Sequence, residues 1–295
     1  MKKLFLLTCL AGITMLWTLT PVFALTMTTD ASYTVPVQSD SDHDIGATGT
    51  VSSSVVYTDP VYGGEISATA SADDSGHSAA FAGWQTGIGG DNLHTEATTT
   101  WTDTLTANNG DGTYSWDFTI TDGGRLTFYD YCPGCSGLVM TAGYEIAIAV
   151  DGSEKWGSSF EISGSYETPP HNEVTTTHSG TQLGRHYYTD DNGYGYVNEV
   201  GYVFSEYTDF VDLGFMHAGE SVTLTYSMTA YASGQDYETS AQAYFGDPGD
   251  LTGGSGMSGS MSGGSGGQQP VPEPATLLLL GIGLAGLVVA KKRFN

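Results

Sequence analysis

The stretch GTYSWDFTIT at residues 112–121 constrains the fold more than any other feature of this chain. Tyr114, Trp116, Phe118 and Ile120 fall on one side of an extended backbone, and Ser115, Asp117 and Thr119 on the other. A two-residue period makes a strand with one oily and one wet face, and such a face needs a second sheet to cover it. The same pattern recurs in YEIAIAVDGSEKWGSSFEIS, with Ile146, Ile148 and Val150 before a turn at Asp151-Gly152 and Trp156, Phe160 and Ile162 after it. ESVTLTYSMTAYASG repeats it through Val222, Leu224, Tyr226 and Met228, after which SGQD turns the chain into YETSAQAYFG. No stretch sustains a 3.6-residue apolar period. About ten or eleven short strands at regular turn spacing predict an all-β body, a β-sandwich of jelly-roll type. NNGDG at 108–112 and DGG at 122–124 make residues 97–131 read as a three-stranded meander.

This body is expected to run from 25 to 250 without internal repeat or linker, long enough for one core. The chain then becomes GDLTGGSGMSGSMSGGSGGQQP, read over 251–271 as a Gly/Ser-rich linker with no means of forming a core. The ends differ from the body. Lys2 and Lys3, an apolar run from Leu4 to Leu19 and the Val22-Phe23-Ala24 site predict a signal peptide over 1–24, cut after Ala24. An uncleaved first membrane helix fits less well, because four threonines dilute the run.

Charge separates body from ends even more sharply. Residues 25–272 keep only Arg125, Lys155 and Arg185 against all the carboxylates but Glu273, so the body carries about −29. That field repels phosphate backbones and anionic headgroups, which argues against nucleic-acid binding.

At the other end, Ala275–Ala290 is an uncharged apolar run, ~24 Å long as a helix against roughly 30 Å of bilayer hydrocarbon. Lys291, Lys292 and Arg293 would snorkel on the cytoplasmic side and leave the body outside. Pro272-Glu273-Pro274 holds an extended segment at the outer membrane face. These three parts, in this order over 272–295, resemble the PEP-CTERM sorting segment of exported bacterial proteins. The resemblance implies exosortase as partner, cutting near Pro272, Glu273 and Pro274, with transient membrane anchoring and then a cell-surface or extracellular location. It also implies a Gram-negative host that makes exopolysaccharide. The closing strands of the body are similar in style to other carriers of such tails, a likeness that brings no activity with it.

Candidate chemistry in the body is sparse. Cys132 and Cys135 in YCPGC could be a redox pair, half a zinc site or a local disulfide; the strand-like sequence that follows and the export compartment favour the disulfide. Asp40, Asp42 and Asp44 begin like a calcium loop, but Ile45 and Val51 occupy the positions that need Gly and Glu. Asp190, Asp191 and Asn192 suit a turn better than a calcium site, although calcium stays open as a cofactor. The histidines of 171–186 fit no helical ligand spacing, and neither a nucleophile elbow nor a phosphate loop is present. Paired carboxylates for glycoside hydrolysis are too numerous to single out. Trp116 and Trp156 read as core; among the many tyrosines, which include Tyr187, Tyr188, Tyr194, Tyr196 and Tyr202, the loop RHYYTDDNGYGYVNE is less readily assigned to the core and is a candidate sugar-stacking surface. The leading expectation is a non-catalytic structural or exopolysaccharide-associated protein. A calcium-dependent carbohydrate-binding module is the alternative, and a polysaccharide-active enzyme comes third.

Overall fold

The computed structural model describes residues 25–264 apart from 37, 62, 85–91, 122–123, 131–138, 167–171, 192–196, 236–238 and 246–256. Within them every regular element is a strand, and the strands form two antiparallel sheets that face each other as a sandwich. Sheet A contains β1 (Thr26–Val35), β2 (Gln38–Gly46), β6 (Leu93–Thr106), β9 (Val139–Val150), β10 (Ser153–Tyr166), β11 (Asn172–Gly180) and β15 (Ser221–Gly234). Its order is β11-β10-β9-β15-β6-β1-β2. Sheet B contains β3 (Thr50–Thr58), β4 (Glu65–Asp73), β5 (Ser78–Trp84), β7 (Gly112–Ile120), β8 (Arg125–Asp130) and β12 (Arg185–Asp191). It is completed by β13 (Val197–Phe204), β14 (Tyr207–Met216), β16 (Thr239–Phe245) and β17 (Met257–Gly263). It runs β12-β13-β8-β16-β5 and then divides, with β4 and β3 on one side of β5 and β17, β7 and β14 beyond the end of β16.

The alternating residues make the core. Trp101 and Tyr226 of sheet A stack at 5.2 Å between ring centroids, and Tyr226 stacks on Trp116 of sheet B at 5.5 Å. Phe118 continues the row to Trp156 of sheet A, edge to face at 5.0 Å. Tyr144 and Phe160 of sheet A and Phe204 and Phe245 of sheet B form a second aromatic cluster. Buried hydroxyls also cross the gap: Thr29 Oγ1 and Ser53 Oγ lie 2.9 Å apart, and Thr95 Oγ1 donates to Ser67 O.

The β9–β10 hairpin forms as the sequence predicts. Asp151 and Gly152 both take positive φ, 48° and 74°, the turn whose twist matches its strands. The meander does not form. β6 lies in sheet A, β7 pairs with β14 and β17, and β8 pairs with β13 and β16. Alternation states that a strand has an oily face but not whether its neighbour in sequence lies beside it or opposite. Here the β6–β7 connection crosses the sandwich, held by Ala107 N to Glu220 O (2.8 Å) and Gly219 N to Ala107 O (2.9 Å).

Strands are also more numerous than the apolar pattern predicts, seventeen among the described residues. The additional ones include polar strands such as β2, SDSDHD in its middle and exposed along its length. Asp40, Asp42 and Asp44 are therefore on an edge strand, not in a loop. Asp42 Oδ2 accepts from Ser54 N (2.9 Å) and Asp44 Oδ2 from Ser52 N (3.4 Å), so these carboxylates cap the open edge of β3.

The Gly/Ser segment holds the largest departure from the sequence reading. Residues 257–263 form β17, paired with β7 from Met257↔Ile120 to Gly263↔Tyr114. Met257 is completely buried and Met261 packs partly against the core. Glycine removes what would obstruct the contact: a Cβ on Gly259 would collide with the Trp116 indole. The folded body thus extends beyond 250.

Burial has a consequence at high pH. The Tyr144 phenol, buried and 3.0 Å from Ser158 Oγ, is pushed up to about 12 from its usual 10.0 by loss of hydration; burial also raises Tyr226. A raised phenol pKa contributes stability that is complete below pH 10 and lost as pH climbs towards 12. Phenolate absorbance should therefore rise in two stages, exposed tyrosines first and the buried ones together with unfolding. A single non-cooperative rise with the fold intact would contradict this.

Candidate functional site

The sheets end unequally with the core at one side. β11 closes sheet A and β12 closes sheet B, and residues 181–184 carry the chain between them. Leu183 in that crossing is buried, with Thr181 N bonded to Gly157 O (2.8 Å) and Ser205 N to Gly184 O (2.9 Å). On β11, Thr176 and His178 pair with Ile162 and Phe160, so they share the core-facing side with two buried residues. Both are nevertheless exposed. On β12, Tyr187 and Thr189 pair with Tyr202 and Val200, again on the core-facing side, and again both are exposed. The outermost strands therefore overhang the core and leave a cleft between them, where two packed sheets stand about 10 Å apart.

Tyr187, 46% exposed, is the aromatic wall of this cleft and lies 5.2 Å from Tyr202. Tyr202 in turn meets Phe160 edge to face at 5.1 Å, which fixes the platform to the core. Arg185 lies over the Phe160 ring, Cζ 4.2 Å from its centroid, and 5.7 Å from that of Tyr202. In the amide orientation that satisfies both groups, Gln182 Oε1 accepts from Arg185 Nη1 (3.0 Å) and Nη2 (3.2 Å).

The back of the hairpin is a separate polar unit. Glu199 Oε1 accepts from Tyr188 Oη (2.8 Å) and Arg125 Nη2 (3.2 Å). Burial, then the hydrogen bond to Glu199, raises the Tyr188 phenol. A side chain on Gly201 would strike Leu126 O and Tyr188 Oη, so glycine there lets the tyrosine lie across the sheet.

Of the residues singled out in the sequence, the structure joins Tyr187 and Tyr202 in one wall and puts Tyr188 on the opposite face. Asp190 is exposed opposite Glu199, and Asp191 follows a register shift. Asn192, Tyr194 and Tyr196 lie outside the described residues, as do Cys132 and Cys135, the signal peptide, Pro272, Glu273, Pro274, Lys291, Lys292 and Arg293. Among the described residues no three His, Cys, Asp or Glu side chains converge as a metal site, and no helix is long and apolar enough to cross a membrane. Trp116 and Trp156 are core, as read, and so are Trp84 and Trp101, which leaves no described tryptophan for a sugar to stack on. Sequence reasoning missed Gln182, Thr176 and the role of Arg185. The available signal was that one of only three body bases directly precedes the tyrosine run.

Comparison with known proteins adds a finding at the opposite end of the chain. Residues 270–293 match the PEP-CTERM protein-sorting motif. The motif implies an exported protein with exosortase as its processing partner and a surface or extracellular destination. No curated protein matches the chain.

Proposed function

We propose that the body is a non-catalytic surface or matrix protein that associates with the exopolysaccharide of its host through the β11–β12 cleft. The observation that carries this reading is the exposed Tyr187 ring, braced by Tyr202 at the mouth of a cleft with hydroxyl side chains on both walls. A tyrosine offers a flat apolar face to a sugar ring and a hydroxyl to its edge. The other large exposed aromatics among the described residues, Phe210 and Phe215 on β14, lack that polar handle. Until exosortase acts, the Ala275–Ala290 run anchors the protein, with Lys291, Lys292 and Arg293 on the cytoplasmic side.

The test is co-sedimentation of residues 25–264, which retain β17, with purified host exopolysaccharide. It is run in calcium and in chelator, with polymer chain length followed throughout. The expected result is sedimentation with the polymer, weakened by Tyr187→Ala, and no shortening of the polymer. Loss of binding in chelator would assign a bridging calcium, with Asp190, Asp191 and Asn192 the first positions to change. Shortened polymer would make the protein an enzyme, and absence of binding in both conditions would remove the polysaccharide reading.

A further inference from the structure

The cleft holds a cation that no described carboxylate neutralises. Arg125 is paired with Glu199, yet among the described residues no carboxylate lies within salt-bridge distance of Arg185. In a body with three bases and a net charge near −29, a guanidinium without a carboxylate is unexpected. It is held instead by neutral groups, the face of Phe160 and the Gln182 amide oxygen. Such a hold fixes the plane of the guanidinium without discharging it, and its planar fork fits a carboxylate in two-point contact.

We propose that the cleft selects an acidic sugar, a uronate residue whose ring lies on Tyr187 and whose carboxylate meets Arg185. This rests on the polysaccharide reading above and names the ligand class of that site. The field of the whole body also restricts the polymer. At distances beyond about 8–10 Å it repels a polyanion, whereas the contact pair in the cleft is far less screened. The matching polymer therefore carries uronates sparsely on a neutral backbone. Moderate salt should strengthen binding of a longer acidic chain, the reverse of the usual behaviour of a basic site.

The experiment titrates residues 25–264 with xylotetraose and with the same oligosaccharide bearing one glucuronic acid, and repeats the exopolysaccharide sedimentation beside them. The acidic oligosaccharide should bind about tenfold more tightly than the neutral one. Arg185→Gln should reduce the difference to about twofold or less, whereas Tyr187→Ala should weaken both ligands. Because Arg185→Gln also removes a ring contact, Gln182→Glu provides the second variant. It leaves Arg185 in position, supplies it with an internal carboxylate and should abolish the acidic preference without lowering the unfolding midpoint. Equal affinity for the two oligosaccharides, or an acidic preference that survives Gln182→Glu, overturns the inference but not the polysaccharide reading. If neither oligosaccharide binds while exopolysaccharide still sediments, the cleft is not the site. If the exopolysaccharide does not sediment either, both readings fall.

Discussion

Ending the chain at residue 250 instead of 264 should lower the thermal midpoint of the body by about 6–12 °C. The missing segment carries β17, whose Met257 is wholly buried and whose backbone pairs with β7 along seven residues. Burying a methionine stabilises by roughly 2 kcal/mol, and the partial burial of Met261 adds to it. Without β17 the Gly259 contact is also lost, so part of the Trp116 indole meets water. A net loss of about 3 kcal/mol is the central expectation for the loss of these buried contacts. Differential scanning calorimetry on the two lengths decides it. Equal midpoints would mean that residues 257–263 add nothing to the fold. The result also bears on sorting, because only residues 264–271 separate the last strand from Pro272.

Replacing Trp116 by alanine should cost about 3–5 kcal/mol, the usual range for a large aromatic removed from a packed core. Trp116 is 2% exposed, stacks on Tyr226 from the facing sheet and on Phe118 along its own strand, and lies under Gly259 of β17. The last contact makes the prediction sharper. Gly259→Ala alone should destabilise by about 1–3 kcal/mol, because the new methyl meets the indole and β17 must lift. In the Trp116→Ala background the same change should cost clearly less, since the indole is gone and only the Asp117 carbonyl oxygen, 2.9 Å from the new methyl, still crowds it. Urea unfolding of the two single variants and the double variant closes the cycle. Additive effects would show that β17 does not rest on Trp116.

Several parts of this protein were legible from local chemistry. The sandwich class followed from period-two alternation in Tyr114–Ile120 and Tyr226–Met228, because a strand with one apolar face has few ways to bury it. The β9–β10 hairpin followed from Asp151-Gly152, a pair suited to the left-handed turn that joins twisted strands. The core roles of Trp116 and Trp156 followed from the same alternation. The sorting motif was legible for a different reason. A sorting motif carries its information in residue order, and Pro272-Glu273-Pro274 followed by an apolar run and terminal bases is visible in the sequence alone.

What lay beyond local chemistry was pairing across distance. Ser/Thr-, Asp- and Gly-rich segments such as β2, β11 and β17 have no apolar period, and they become strands because an edge of β1, β10 or β7 offers unpaired backbone groups. Their own side chains contribute little to that choice. The cleft was illegible on the same grounds. Tyr187 could be named as a candidate platform, but its cleft exists because β11 and β12, which do not pair with each other, close facing sheets and overhang the core together. The setting of Arg185 arises likewise, from folding that brings its guanidinium to Phe160 and Gln182 and, among the described residues, to no carboxylate. Sequence by itself determined the class of fold and the route of export, since each is written in residues close together. Which strands face each other, and so where a ligand could enter, was decided by contacts between residues far apart in the chain, and only the tertiary structure holds those.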